Sequence, residues 1–119
     1  MTKRLENLLA CFRAGRNSRH YYNKFLGVDR QVIASETPGL GMEYRAFIYG
    51  GTHIATYCDG KLEIKTGPHG WSKTTRNYLN GVLALFGLPQ LYQKHWDWYF
   101  DGGEEFTGYK KFENVRFAA

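Results

Sequence analysis

The spacing of apolar residues predicts two short helices at the start of the chain. The first has an apolar face whose members recur with helical spacing, namely Leu5, Leu8, Leu9 and Phe12. Thr2 is expected to cap this helix and Gly15 to end it. A second helix is expected to begin at Asn17 or Ser18 and to end at Gly27. Its apolar residues are Tyr21, Tyr22, Phe25 and Leu26.

Runs of strand-forming residues, separated by glycine-containing turns, predict an antiparallel sheet in the middle of the chain. Residues 31–34 are expected to be extended and to precede a turn over residues 37–41. Three further strands are expected over residues 42–49, 52–58 and 61–66. Gly50-Gly51 joins the first two of these strands, and Asp59-Gly60 joins the next two in a type I′ turn.

The last third of the sequence predicts one further helix and an aromatic hairpin. The helix is expected to begin after Ser72 and to end at Gly87. Its buried residues are Leu79, Val82, Leu83 and Phe86. Gly81 in its interior costs about 1 kcal/mol relative to alanine, which favours close packing against a sheet. The hairpin is expected over residues 91–117 with a turn at residues 101–103. Alternation along its first strand places three rings on one face, those of Trp96, Trp98 and Phe100.

Together these elements predict an α+β fold, an antiparallel sheet of about five strands with helices packed on one face. The predicted element order is α-α-β-β-β-α-β-β. No linker or change of composition divides the sequence, so we expect a single domain over residues 1–119. Within it, residues 1–27 would form a basic helical hairpin, and residues 42–117 would form the sheet with one central helix.

Composition excludes several classes of protein. Apolar residues make up 43% of the chain and aromatic residues 17%, which excludes a disordered or collagen-like chain. No apolar run approaches the roughly 18 residues of a membrane span, and the N-terminus lacks the apolar stretch of a signal peptide. The two cysteines, Cys11 and Cys58, are too few for a disulfide framework. We therefore expect a cytoplasmic protein without membrane association.

The net charge of +5 is concentrated in the first quarter of the chain. Residues 1–30 contain seven basic and two acidic residues, whereas residues 31–119 contain nine of each. A local excess of positive charge attracts phosphates or an acidic protein surface. Three arginines lie at the end of the first helix and in the turn that follows it, and we expect Arg13, Arg16 and Arg19 to contact an acidic partner.

A second candidate binding site lies at the start of the central helix. Free N–H groups there, with Lys73 and Arg76 beside them, would suit a phosphate or a carboxylate. Simple capping by Ser72 is the alternative. Single-stranded nucleic acid also needs exposed rings on which its bases stack, and the candidate rings are Phe47, Tyr49, Tyr57, Trp71 and Trp98.

The sequence predicts no catalytic site, no metal site and no cofactor. Structural zinc ligands usually occur in pairs two to four residues apart, and only His53 with Cys58 approaches such a pair. A small metal-independent nuclease would instead need a base, an acid and a positive charge. The residues available for one, on or beside the central hairpin, are His53, Glu63, Lys65 and His69. Alternating charges of this kind are equally typical of an exposed strand.

Three segments of the chain resemble a family of small bacteriophage domains. They are Glu6–Gly15, Ile48–Ala55 and Trp71–Asn77, which match a short amphipathic helix, a Tyr-Gly…Ile-Ala strand and a Ser-x-Thr-Thr helix start. Small phage proteins often inhibit host defence or host enzymes, anti-CRISPR proteins among them. By that analogy, the resemblance implies a non-enzymatic protein in the host cytoplasm that binds and inhibits or modulates a host nucleic-acid-handling or defence complex. Two alternatives stay open: a single-stranded nucleic-acid-binding protein and the small nuclease.

Overall fold

The computed structural model describes residues 2–23, 28–37, 42–66 and 71–118 of the chain. In chain order, its helices and strands are α1 (Lys3–Ala14), β1 (Tyr21–Asn23), β2 (Val28–Thr37), β3 (Met42–Tyr49), β4 (Thr52–Cys58), β5 (Lys61–Lys65), α2 (Lys73–Leu85), β6 (Leu91–Lys94), β7 (Asp97–Phe100), β8 (Glu105–Phe106) and β9 (Tyr109–Phe112). The predicted α+β class is therefore confirmed.

The strands form two antiparallel sheets. The larger sheet has six strands in the order β1-β2-β3-β4-β5-β9, and the smaller has three in the order β6-β7-β8. The three strands predicted between residues 42 and 66 are confirmed. Both turns between them have the left-handed backbone of a type I′ turn, at Gly50-Gly51 and at Asp59-Gly60. The turn predicted over residues 37–41 falls on residues 38–41, which lie outside the described part of the chain.

One continuous apolar core joins the two helices to the larger sheet. The helices contribute the residues that their spacing predicted to be buried, including Leu8, Phe12, Leu79, Val82 and Leu83. The sheet contributes Val32, Phe47, Leu62 and Ile64. Both predicted N-caps are confirmed, since the side-chain oxygens of Thr2 and Ser72 accept hydrogen bonds from the backbone N–H groups of Leu5 and Thr75.

Gly81 allows α1 and α2 to approach each other closely. A Cβ atom added at this position would lie 2.8 Å from Leu9 Cδ1, which is closer than carbon atoms pack. The close packing predicted from this glycine is therefore present, but the neighbour is a helix. The expectation that it would be a sheet is wrong.

The second helix predicted in residues 17–27 is wrong where the structure describes it. Tyr21–Asn23 pairs instead with β2 in an antiparallel ladder. The proposed cap residues bind β2 with their side chains: Asn17 Oδ1 accepts a hydrogen bond from the Ala34 N–H group, and Ser18 Oγ accepts one from the Val32 N–H group. The start of the chain is thus one helix and an edge strand, and the basic helical hairpin expected over residues 1–27 is corrected accordingly. Phe25 and Leu26 lie outside the described residues.

The aromatic tail is more broken than the single hairpin predicted for it. A turn at His95-Trp96, with φ of 52° and 74°, ends β6 and starts β7. This turn interrupts the alternation, so Trp98 and Phe100 are buried while Trp96 is 88% exposed. The expectation that the three rings share one face is therefore wrong for Trp96. The reversal predicted at residues 101–103 is present, and β9 then joins the larger sheet beside β5.

Residues 115–118, which we call the C-terminal clasp, cross the helices and hold them to the sheet. The Phe117 ring stacks on Phe86 with 4.4 Å between centroids, and the Arg45 guanidinium lies 4.9 Å from the Phe117 centroid. The Tyr57 hydroxyl donates to the Val115 carbonyl, and Arg13 donates to the Ala118 carbonyl at 2.7 Å. The clasp therefore closes the far end of the core.

Candidate functional site

Two adjoining hollows between α1, α2 and the start of β2 form a basic groove. They share Thr2 and Arg30 and have volumes of about 840 and 430 Å³. Three of the residues that line them carry positive charge, namely Lys3, Arg4 and Arg30. The others include hydroxyl and amide side chains, and none of the described lining residues is acidic. A groove of this composition attracts anions.

Arg30 is held in place at the floor of the basic groove. The antiparallel register of β1 and β2 sets it opposite Tyr21, and its Nη1 donates a hydrogen bond of 2.8 Å to the Tyr78 hydroxyl. Its Nε atom is buried and has no hydrogen-bond partner within the described residues. The Arg4 guanidinium stands 5.1 Å from the Tyr21 ring centroid, at the groove's outer wall.

The arginines singled out by charge patterning do not lie together in this groove. Arg13 follows Lys3 by ten residues in helix α1, so it lies about 15 Å farther along the helix axis, and Arg16 comes after the end of the helix. Arg13 is used by the C-terminal clasp, where it also stands 5.5 Å from the Phe117 centroid. Arg16 and Arg19 are exposed. Their contact with an acidic partner stays a prediction, whereas Lys3, Arg4 and Arg30 are groove residues that the sequence analysis did not single out.

At the start of α2, the candidate anion site consists of an exposed lysine and an arginine that already has partners. Ser72 is an ordinary cap, and the Arg76 guanidinium is engaged: Nη1 donates to Gln93 Oε1 at 3.1 Å, and the group stands 5.8 Å from the Trp98 ring. These contacts tie α2 to the smaller sheet. Lys73 is exposed. Anion binding by Lys73 and Arg76 stays a prediction.

Burial corrects the set of rings expected at the surface. Phe47 and Trp98 are fully buried, and Tyr49 is only 7% exposed because it packs edge-on against Tyr78 at 5.2 Å. That burial is also the main cause that raises the pKa of Tyr49. Tyr57 is half-buried against Phe86 and the clasp. Phe47, Tyr49 and Trp98 are therefore not exposed for a base to stack on, and the binding role of Tyr57 stays a prediction.

Among the described residues, five large rings are exposed, and two of them, Tyr92 and Trp96, lie around the turn between β6 and β7. We call this region, residues 91–96, the hairpin tip. Trp96 is the most exposed of the large apolar residues there, and Tyr92 is partly exposed beside it. Together with Arg76 they border a hollow of about 550 Å³. Trp71, which is 49% exposed, lies on the neighbouring surface with its ring edge-on to Trp98.

Three of the four residues considered for a nuclease line one cleft on the opposite face of the larger sheet. His53, Glu63 and Lys65 border a cleft of about 460 Å³ together with Tyr44 and Tyr109. His69 lies outside the described residues. We call this feature the outer cleft, because it opens on the side of the sheet that the helices do not cover.

Comparison with known proteins assigns a family. The family model for the Kyanoviridae Gp96 protein, which describes a family of phage proteins, matches residues 31–118, well over half of the chain. The chain belongs to this family. No curated protein and no solved structure matches it.

The Kyanoviridae Gp96 match spans most of the features described above. It begins within β2 and includes β3 to β9, α2, the hairpin tip and the outer cleft. Lys3, Arg4 and Arg30 precede it. The phage origin expected from the resemblance is thereby confirmed, and the match carries no activity with it.

The described residues contain neither a cluster of metal-ligating side chains nor a membrane-spanning helix. No group of three or more His, Cys, Asp or Glu side chains is arranged to hold a metal ion. Neither helix there is long and apolar enough to cross a membrane. Cys11 and Cys58 are both free and half-buried.

Proposed function

We propose that this phage protein binds an acidic surface of a host nucleic-acid-handling complex through its basic groove, and that this binding inhibits or modulates the complex. The observation that carries the proposal is the convergence of Lys3, Arg4 and Arg30 on one groove without an acidic residue among its described lining. The nucleic acid held by such a complex, or an acidic patch on one of its subunits, would offer the complementary negative charge.

The arrangement of the basic groove favours a partner over plain solvent. Like charges held close together repel one another, and a partner of opposite charge removes that cost. The bond from Arg30 to Tyr78 fixes the guanidinium in advance, which lowers the entropy lost on binding.

The test compares two double charge reversals. Lys3→Glu with Arg4→Glu changes the groove at exposed positions, whereas Lys61→Glu with Lys111→Glu makes the same change of net charge on β5 and β9. Tagged forms of each would be used to retrieve partners from infected host cells, with mass spectrometry to identify them. We expect the wild type and the β5/β9 variant to retrieve the same nucleic-acid-handling complex, and the groove variant to lose it.

Retrieval after nuclease treatment separates a protein partner from nucleic acid. A complex that survives nuclease supports the proposal. If the groove variant retrieves the same complex as strongly as the wild type, the groove does not bind it and the proposal is wrong. The same comparison with Arg16→Glu and Arg19→Glu decides whether the other end of α1 contributes.

Direct binding of single-stranded nucleic acid is the second candidate, and the hairpin tip is the observation that favours it. An indole that is 88% exposed beside Tyr92 and Arg76 resembles a platform on which bases stack. In this case Trp96→Ala should weaken binding to a labelled single-stranded oligonucleotide by about 1–3 kcal/mol. Loss of two groove cations should lower the slope of log K against log salt by about 1.4 for a single strand. Absence of binding by the wild type would refute this candidate and leave the first one untouched.

A further inference from the structure

The outer cleft brings together side chains of three neighbouring strands that carry acid–base chemistry. His53 comes from β4, Glu63 and Lys65 come from β5, and Tyr109 comes from β9. In the ladder, Glu63 lies opposite Thr56 on one side, and Lys65 lies opposite Tyr109 on the other. This face is therefore built by strand pairing across the sheet, on the opposite side from the basic groove.

A β-bulge directs His53 into the cleft. Phe47 pairs with Ala55, but the next residue, Ile48, pairs with His53, so Ile54 is the additional residue on β4. Without this bulge, His53 would lie on the same face as Ala55, which is the face covered by the helices, because residues two apart in a strand share a face. Bulges commonly redirect one side chain in this way, and they are frequent beside functional sites.

Two tyrosines fix the positions of the imidazole and the carboxylate. The Tyr44 hydroxyl and His53 Nδ1 are 3.1 Å apart, so Nε2 is the ring nitrogen that remains for a ligand. The Tyr109 hydroxyl donates a hydrogen bond of 3.0 Å to Glu63 Oε1. His53 and Glu63 are both half-buried, whereas Lys65 is exposed at the rim. An exposed strand of alternating charges needs no such supporting hydrogen bonds.

We propose that the outer cleft is a catalytic site that cleaves single-stranded RNA by transfer of a phosphodiester to the adjacent 2′-hydroxyl. The Glu63 carboxylate takes the proton of the 2′-hydroxyl, whose oxygen attacks the phosphorus and forms the P–O2′ bond. The P–O5′ bond breaks, and the departing O5′ takes a proton from the His53 imidazolium. The products are a 2′,3′-cyclic phosphate and a 5′-hydroxyl, so no atom or charge is left unbalanced. Lys65 pairs with the non-bridging oxygens, where negative charge increases.

This activity goes beyond the proposed binding function and uses a different face of the molecule. A protein that docks on a nucleic-acid-handling complex through the basic groove would present the outer cleft on the far side of its sheet. The two proposals fail independently. Cleft variants should lose RNA cleavage and still retrieve the partner. Groove variants should lose partner retrieval and still cleave a free oligonucleotide.

The experiment follows a labelled single-stranded RNA oligonucleotide and a copy of it with 2′-deoxy sugars throughout. The wild-type protein should cleave the RNA to fragments that end in a 2′,3′-cyclic phosphate and should leave the deoxy copy intact. His53→Ala and Glu63→Gln should each lower the cleavage rate about 100-fold or more, as is usual when a general acid or base is lost. Thermal unfolding of each variant shows whether its fold is retained.

Lys65→Ala and its control Lys61→Ala test the site at exposed positions, where a substitution is not expected to unfold the protein. Both lysines are exposed on β5 and two positions from Glu63, but only Lys65 lines the outer cleft. Lys65→Ala should slow cleavage by roughly 100-fold, and Lys61→Ala should leave the rate unchanged. If the wild type does not cleave the RNA, or if the Lys65→Ala protein cleaves it at the wild-type rate, the proposal is wrong.

Discussion

The contact between Gly81 and Leu9 predicts that Gly81→Ala does not stabilise the wild type but does stabilise a protein that lacks the Leu9 side chain. Replacing Gly81 by alanine improves helix propensity by about 1 kcal/mol. The new Cβ would lie 2.8 Å from one Leu9 methyl carbon and 3.2 Å from the other. Leu9 is buried in the core and has little room to move. Overpacking of this kind costs about 1–3 kcal/mol, so Gly81→Ala should be neutral or destabilising by up to about 2 kcal/mol.

Removing the Leu9 side chain should reverse that result. Leu9→Ala alone should cost about 2–5 kcal/mol because it leaves a cavity between the helices. In that background the Cβ at position 81 meets no methyl group, so Gly81→Ala should stabilise the protein by about 1 kcal/mol. Urea denaturation of the wild type, both single variants and the double variant gives the coupling energy between the two positions.

The coupling expected from these numbers is about 1–3 kcal/mol. A Gly81→Ala variant that is about 1 kcal/mol more stable than the wild type, with the same gain in the Leu9→Ala background, would refute the reasoning. It would mean that the two helices do not meet at these residues.

Three further predictions address the tail, the α2 cap and the outer cleft. Trp98→Ala should lower the free energy of unfolding by about 3–5 kcal/mol because the indole is 1% exposed, whereas Trp96→Ala should change it by no more than about 0.5 kcal/mol. Equal losses in urea denaturation would contradict the burial of Trp98 and the exposure of Trp96. Ser72→Ala should cost about 1 kcal/mol through the lost cap, and an unchanged thermal midpoint would argue against it. The hydrogen bond to Glu63, and to a lesser degree burial, raises the pKa of Tyr109 above its ordinary 10.0. The stability that this shift contributes is therefore present below the ordinary pKa and is lost as the pH rises through the raised value. The difference between the ultraviolet titrations of the wild type and Tyr109→Phe isolates Tyr109, which should titrate at a pH above the ordinary value. Titration of Tyr109 at the ordinary value would contradict the hydrogen bond.

Elements specified by local signals were predicted well from the sequence. Helix α1 has an apolar face with helical spacing, a cap at Thr2 and a left-handed glycine at Gly15, and all three agree with the structure. The two hairpins around β4 are set by turn residues that accept positive φ. In these segments, residues close together in the sequence determine the local structure.

The errors arose where distant parts of the chain decide the structure. Tyr21 and Tyr22 suit a helix or a strand, and pairing with β2 favours the strand. The turn at His95-Trp96 contains no glycine, so no residue type there indicated a break in the alternation. Local propensity has little weight when a ladder or a core contact is available.

The two candidate surfaces show the same limit. Arg30 lines the same hollow as Lys3 and Arg4, and it is placed there because β2 runs back along β1 and pairs Arg30 with Tyr21. In the outer cleft, strict alternation would put His53 on the wrong face, and only the register of β3 and β4 reveals the bulge. The residue types were visible in the sequence, but their juxtaposition depends on strand register.

The C-terminal clasp has a consequence for how the chain folds during synthesis. The bond from Arg13 to the Ala118 carbonyl spans 105 positions in the sequence, so this contact cannot form until residue 118 has left the ribosome. Loops of this length close slowly, and domains with many distant contacts fold late. A nascent chain that has not yet delivered residues 115–118 exposes Phe86 and the end of α1 to solvent, which is the kind of surface that chaperones bind. The core should therefore complete its folding in one late step, after residues 115–118 have left the ribosome.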